Sequence, residues 1–314
     1  MASVNIERIK FDVISWSRIV KNSVAALLLA PLMALAQAPQ VVPVVALSQS
    51  PKIDGNLAEW GSDGWVKVPV KPALDKAERT KFGMSPEDDK NQTGNLTVLV
   101  KVGVNGGKVY FALKYPDASA DTSYLLWEWR GDKYAQGKQR DDMLALRFHM
   151  AGDFDRSMLA TKDYTADVWQ WSAGRTNTVG VAEDQMHHMT TGTLENAAEY
   201  SMPDGKTIYI KKQRDAGAPV FKALPRPKEN KGEKMPSFEV GTPSGSSADV
   251  AAKGEWSAGN WQVEFGRALN TGNADDAVFK PGHKLLGQIA VFNKGFSEHK
   301  SVSEPLLFDF SAIK

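Results

Sequence analysis

The chain has 314 residues, of which 42% are hydrophobic and 24% charged, and this is ordinary globular usage. Its 38 Lys and Arg residues nearly balance its 37 Asp and Glu residues, and no block of like charge is long enough to predict a nucleic-acid partner. The absence of cysteine excludes disulfides, iron–sulfur clusters, thiolate-ligated metals and covalently attached c-type haem.

The first 38 residues have the pattern of a secretory signal peptide. Four basic residues precede an apolar run at 24–36, and small residues then follow in Ala-x-Ala spacing. The run is too short for a membrane span and contains Pro31, so an uncleaved anchor is the alternative that we do not favour. We predict cleavage after Ala36 or Ala38, and a periplasmic mature chain without a membrane span.

The rest of the chain, 39–314, is predicted to form a single all-β domain. The clearest element is a hairpin at 95–117, whose arms meet in a turn at 104–107. Only 193–200 looks helical. Further short strands are predicted at 41–48, 124–130, 142–150, 167–173, 206–212, 259–269, 284–293 and 305–310. Many short strands between turn residues favour an antiparallel β-sandwich or barrel.

Two long polar stretches, 75–94 and 213–254, are predicted as loop insertions in that domain. The second is rich in proline and carries scattered lysines. Long loops inside a compact domain are usually functional or disordered. Its basic side suits an acidic partner, and a solvated loop is the alternative.

The segment DYTADVWQWSAGR at 163–175 contains two tryptophans one residue apart. In a strand, this spacing puts Trp169 and Trp171 on one face. They pack either in the core between two sheets or against a large flat cofactor. Adjacent His187 and His188 would point to opposite sides of a strand, so we interpret them as part of a surface loop rather than a metal pair.

No hydrolase elbow, P-loop, zinc-protease or dinucleotide-binding motif is present, so no bond-making chemistry is predicted. Soft and nitrogen ligands are available instead. Met158 lies in a polar connection before the tryptophan strand, and His299 and Lys300 lie between the last two predicted strands. Such side chains can hold a haem without covalent attachment.

Four segments, 52–60, 141–176, 247–282 and 285–310, resemble the haem-binding subunit family of ethylbenzene dehydrogenase and related periplasmic molybdoenzymes. The resemblance implies a DOMON-type β-sandwich that holds one noncovalent haem b at one end. It also implies an electron-transfer role rather than catalysis. The partners would be the catalytic and iron–sulfur subunits of a molybdoenzyme, or another periplasmic redox protein.

The same resemblance implies an axial methionine and an axial lysine, which by position are Met158 and Lys300, with His299 as the open alternative to Lys300. It also places the tryptophan pair beside the haem and pairs Arg175 with a haem propionate. If Met158 is not the ligand, the other candidates for this position are Met143, Met150 and His149.

A second interpretation comes from the segment IDGNLAEW, which also resembles the start of family-nine carbohydrate-binding modules. A carbohydrate-binding β-sandwich without haem would use exposed tryptophans as a sugar platform, and the candidates are Trp60, Trp65, Trp127 and Trp129. A third interpretation is a periplasmic domain with no cofactor. An absorption spectrum distinguishes the haem protein from both.

Overall fold

The computed structural model describes residues 38–296 and 299–314, so the predicted signal peptide lies outside the described residues except for Ala38. The described helices are α1 (Lys76–Lys81) and three short 3-10 segments, Leu57–Trp60, Pro86–Asp88 and Gly245–Ala248. The strands are β1 (Gln40–Ala46), β2 (Val66–Pro72), β3 (Leu96–Asn105), β4 (Lys108–Pro116), β5 (Trp127–Trp129), β6 (Tyr134–Gln136), β7 (Met143–Gly152), β8 (Tyr164–Ser172), β9 (Glu183–Thr190), β10 (Ala198–Ser201), β11 (Thr207–Arg214), β12 (Phe221–Ala223), β13 (Lys234–Met235), β14 (Phe238–Val240), β15 (Ala251–Ser257), β16 (Asn260–Ala268), β17 (Lys284–Phe292), β18 (Ser301–Ser303) and β19 (Leu306–Asp309).

Most strands belong to one large sheet, in the order β10-β11-β9-β8-β7-β17-β18-β2-β3-β4-β16-β15. All neighbours in this order run antiparallel. β1 runs parallel to β19 through its first half and parallel to β3 through its second half. The predicted all-β, antiparallel fold class is confirmed.

The two halves of this sheet face each other across a hydrophobic core. Strands β4 and β7 are not hydrogen-bonded neighbours, yet the ring centroid of Phe111 on β4 lies 5.4 Å from that of Phe148 on β7. It also lies 5.6 Å from the indole of Trp169, edge to face. Such contacts between distant strands show two packed layers, which is the arrangement of a sandwich.

The side chains of β8 point alternately to the two faces of the sheet, and the two faces have different surroundings. Trp169 and Trp171 both point into the core and are completely buried. Val168 and Gln170 point to the other side of the sheet, where they line a pocket. The two tryptophans therefore pack in the core, as one of the two alternatives predicted, and neither lines that pocket.

The predicted hairpin at 95–117 is confirmed as β3 and β4, with Gly106 and Gly107 at positive φ in the turn. The predicted helix at 193–200 is wrong. Its end forms β10, and Asn196 interrupts the segment with a φ of 58°, in the left-handed region. Pairing with β11 outweighs the helix propensity of this short stretch.

Both predicted loop insertions contain regular structure. The first carries α1, whose N-terminus is closed by a capping box between Asp75 and Glu78. The second carries β12 and β14, which pair with each other, and β13, which pairs with β5.

Residues Pro39–Lys314 cluster as one compact unit. In the part of the chain that the structure describes, no helix has the length and apolar character needed to cross a bilayer.

Candidate functional site

A pocket lies on the outer face of the sheet half formed by β7, β8, β9 and β17, and we call it the outer pocket. Its cavity volume is about 130 Å³, and the space out to and including its open mouth is about 890 Å³. Ala145 and Ala290 are directly paired between β7 and β17, and both line the pocket. Because both side chains are small, they leave room above the sheet where larger residues would fill it.

The Ala145–Ala290 pair forms the floor of the outer pocket. On the same two strands, pairs of larger residues lie at the two ends of this floor. Met143 pairs with Phe292 at one end, and Arg147 pairs with Gln288 at the other. All four line the outer pocket, and the lining around them is mainly apolar. Ligand pockets commonly combine such an apolar lining with a few placed polar groups.

The polar end of the floor supports the connection between β7 and β8. Arg147 Nη2 donates to the backbone carbonyl of Asp155 at 2.7 Å, and Gln288 Nε2 donates to the carbonyl of Arg156 at 3.1 Å. Arg147 also donates to the hydroxyl of Tyr164 at 2.9 Å. These bonds fix the backbone just before Met158, within the 153–163 connection.

Arg156 attaches this connection to the end of β2. Its guanidinium donates to the carbonyls of Pro72 at 2.7 Å and Ala73 at 3.1 Å. Ser157 Oγ accepts from the amide of Leu159 at 3.1 Å, which shapes the turn that contains Met158. Met158 is partly buried and lines the outer pocket.

Lys300 reaches the same pocket from the segment before β18. Its carbonyl accepts from the amide of Ala73 at 2.8 Å and from Asn91 Nδ2 at 3.1 Å. Its ammonium nitrogen lies 5.6 Å from the centre of the Phe292 ring, within the pocket lining. The structure therefore brings Met158 and Lys300 to one pocket.

His299 is not part of the outer pocket lining. Its Nδ1 accepts from the amide of Lys90 at 3.2 Å and lies 3.3 Å from Asp89 Oδ1. These contacts tie the 299–300 segment to the insertion at 75–94. Of the two predicted ligands, Lys300 is the one that the backbone presents to the pocket.

Arg175 is buried and does not line the outer pocket, but its Nη2 donates to the sulfur of Met143, which does, at 2.9 Å. Its Nε and Nη2 each donate to one carboxylate oxygen of Asp141, both at 3.1 Å, and its guanidinium carbon lies 3.9 Å from the centre of the Tyr124 ring. A bidentate pair with Asp141 thus occupies the guanidinium, and the predicted pairing of Arg175 with a cofactor gains no support from the outer pocket lining.

The predicted sugar platform is not formed. Trp60 is buried and donates from its indole nitrogen to Glu264 Oε1 at 2.7 Å. Trp65 packs beside it, whereas Trp127 and Trp129 belong to the separate three-stranded sheet of β5, β6 and β13. The four side chains therefore do not share one exposed face.

Sequence reasoning missed Arg147 and Arg156 of the outer pocket, and it interpreted His187, which also lines the pocket, as part of a surface loop. His187 lies on β9 and not in a surface loop, and burial lowers its pKa well below its usual range. Its Nε2 is 2.8 Å from Gln185 Oε1, and its Nδ1 has no hydrogen-bond partner. The position of Arg147 inside the apolar run MLALRFHM could have indicated a polar site, because a buried charge is unfavourable unless another group compensates it.

Residues 59–302 match a family profile described as "Ethylbenzene dehydrogenase". No curated protein matches this chain. Among solved structures, a putative carbohydrate-binding protein from Bacteroides uniformis ATCC 8492 is 9% identical with a TM-score of 0.40, and the match covers 86% of this chain and 91% of that chain.

A family 9 carbohydrate-binding module (CBM9) from Caldicellulosiruptor kristjanssonii, solved with glucose, is 11% identical with a TM-score of 0.30. That match covers 86% of this chain and 87% of that chain. Likeness at this level carries no argument about function. The family match spans most of the chain and includes Met158 and Lys300, and we conclude that the chain belongs to the ethylbenzene dehydrogenase family.

Proposed function

We propose that this chain binds one haem b noncovalently in the outer pocket and transfers electrons, with Met158 and Lys300 as the axial ligands. One observation carries the proposal. The two side chains come from distant segments of the chain, and the fold brings both to a single, mainly apolar pocket. A methionine thioether and a neutral nitrogen base are suitable ligands for haem iron.

The chemistry of the remaining lining also fits a haem. The paired alanines of the floor leave space for a flat group, and the apolar walls keep water from its faces. Arg147 and Arg156 carry positive charge at one end, where propionates require it. The Nε of Arg147 lacks a hydrogen-bond partner, whereas the Nε of Arg156 lies 3.4 Å from Glu304 Oε1. Haem, when bound, supplies a one-electron couple.

Lys300 must present its amine without a proton in order to bind iron. The iron must therefore compete with a proton for this amine. The contacts of the Lys300 carbonyl with Ala73 and Asn91 fix the backbone from which this amine extends. In this proposal, the chain contributes binding, orientation and exclusion of water.

We further propose that the protein works in the periplasm, as the electron-transfer subunit of a molybdenum-containing enzyme complex or as a free carrier. Family membership supports the association with such a complex. The apolar run at 24–36 supports export. The absence of a recognisable motif for bond-making chemistry supports a non-catalytic role.

The test is the absorption spectrum of protein produced with sufficient haem. We expect a Soret band and a six-coordinate, low-spin spectrum from the wild type. Met158→Ala and Lys300→Ala should each lose the low-spin signature. Met235→Ala on β13 and Lys206→Ala on the surface are matched controls and should keep it.

Failure of the wild-type protein to take up haem would overturn the proposal. Retention of a wild-type spectrum by both Met158→Ala and Lys300→Ala would overturn the ligand assignment. His187 would then be the next residue to substitute, because it lines the same pocket.

A further inference from the structure

A cluster of buried carboxylates lies on the opposite side of β8 from the outer pocket. It surrounds Arg267 of β16, and we call it the carboxylate cluster; its members are Asp167, Asp184, Asp215, Asp275 and Asp276. Arg267 Nη1 donates to Asp167 Oδ2 and to Asp276 Oδ1, each at 2.7 Å. The Arg267 guanidinium therefore faces three of these carboxyl groups, those of Asp167, Asp184 and Asp276, so the cluster holds more carboxyl groups than cations.

Two members of the cluster have no N–H or hydroxyl donor among the described residues. Asp184 is 1% exposed and Asp215 is 4% exposed, and their carboxyl groups can hydrogen-bond only to each other, when one of them carries a proton. The nearest approach of Arg267 to Asp184 is 3.9 Å. A buried carboxylate in this condition needs either a proton or a cation, because an unpaired buried charge is strongly unfavourable.

The spacing of the oxygens is suitable for a cation. One oxygen from each of Asp167, Asp184 and Asp276 lies within 4.8 Å of the others, and the same holds for Asp215, Asp275 and Asp276. Two oxygens on opposite sides of one Ca²⁺ are about 5 Å apart. Asp276 belongs to both triads, so the two groups are continuous.

An open cavity gives access to this cluster from solvent. Asp275 lines the cavity together with Ser246 and Asn273. Asp275 is held in place by Ser246 Oγ, which donates to its Oδ1 at 3.0 Å, and by the amide of Ala216, which donates to its Oδ2 at 3.2 Å. The cavity thus brings solvent to Asp275, which is the outermost member of the cluster.

We propose that the carboxylate cluster binds Ca²⁺, with Asp276 as the shared ligand and with Asp184 and Asp215 as ligands through their unused oxygens. All donors are carboxylate oxygens, which are hard ligands that favour Ca²⁺ over Zn²⁺ or Cu²⁺. The ion joins β9, the end of β11 and the connection between β16 and β17. The proposal is independent of haem binding.

The first experiment is a thermal unfolding series on protein as purified, after chelation with EGTA and removal of the chelator. We expect added CaCl₂ to raise Tm by about 5–10 °C at roughly 100 times the dissociation constant. Isothermal titration should show one site per chain, and MgCl₂ should have a smaller effect because Mg²⁺ requires a stricter octahedral geometry.

Substitutions of single carboxylates test whether the ion binds in the cluster. Asp184→Asn and Asp215→Asn should abolish the Ca²⁺-dependent shift, whereas Asp204→Asn, an exposed carboxylate paired with Lys206, should retain it. A wild-type protein without any Ca²⁺ response would overturn the proposal and show that protons neutralise the cluster. A full response in both cluster variants would overturn it as well.

A luminescence measurement keeps the proposal testable if the cluster variants do not fold. The guanidinium carbon of Arg267 lies 4.7 Å from the centre of the Trp169 ring, so an ion in the cluster is close to an indole donor. Excitation of wild-type protein with added Tb³⁺ should give sensitised emission that CaCl₂ displaces. Absence of such emission would contradict binding in the cluster.

Discussion

His299 and Lys300 are adjacent in the sequence, but their side chains have different surroundings. His299 Nδ1 accepts from the amide of Lys90 at 3.2 Å, whereas Lys300 lines the outer pocket with its ammonium nitrogen 5.6 Å from the Phe292 ring centre. The sequence alone did not distinguish between His299 and Lys300 as the candidate ligand. Their placement favours Lys300 as the ligand and gives His299 the task of holding the segment in place.

The two residues should therefore respond differently to substitution. Lys300→Ala removes the proposed ligand and should convert the low-spin spectrum to a high-spin one. His299→Ala should keep the low-spin spectrum, because His299 is not part of the outer pocket lining. Electron paramagnetic resonance of the ferric proteins checks this. The reverse pattern would show that His299 is the ligand.

Met158→Ala should lower the reduction potential of the haem. A thioether ligand stabilises ferrous iron relative to ferric iron, so its loss favours the oxidised state. A spectroelectrochemical titration measures the shift, with Met235→Ala as the control. An unchanged midpoint potential in Met158→Ala would exclude this residue as a ligand.

The haem should be fully extractable with acid–acetone. The chain has no cysteine, so it cannot form the thioether links of a c-type haem. Mass spectrometry of the extracted polypeptide should show no added haem mass. Haem that stays attached after extraction would require another covalent link and contradict the b-type assignment.

The mature protein should begin near Gln37 or Pro39. The basic segment, the apolar run at 24–36 and the small residues after it have the pattern of a cleavable signal. Intact mass measurement of protein from the periplasmic fraction checks the new N-terminus. Exported protein that still carries Met1 would show an uncleaved segment.

The sequence predicts local features of this fold well and distant pairing poorly. Alternation identified β3, β4 and β8 and put Trp169 and Trp171 on one face, because the side-chain period of a strand is local. It did not say which face meets the core. That depends on the register between β7 and β17, which pairs Ala145 with Ala290 across a long stretch of chain. The outer pocket could not be predicted for the same reason.

Asp142 should make the protein less stable as the pH rises. Its side chain is fully buried, and this burial, with the charge of Asp117 as a smaller contribution, raises its pKa from 3.8 to about 7. Between these two values the folded state holds a proton that the unfolded state releases. The free energy of unfolding therefore falls with increasing pH across this window, by at most about 1.4 kcal/mol per pH unit for one group.

Asp142→Asn should remove this contribution and leave the remaining pH dependence in place. The carbonyl oxygen of an asparagine can still accept from the amide of Asp121 and from the indole nitrogen of Trp261, as Asp142 Oδ2 does at 2.8 and 3.1 Å. Urea unfolding at pH 4.5, 6 and 8 measures the effect, with Asp204→Asn as an exposed control. The free energy of unfolding of Asp142→Asn minus that of the wild type should increase as the pH rises. A difference that stays constant with pH would show that Asp142 is already ionised in the folded protein at pH 4.5.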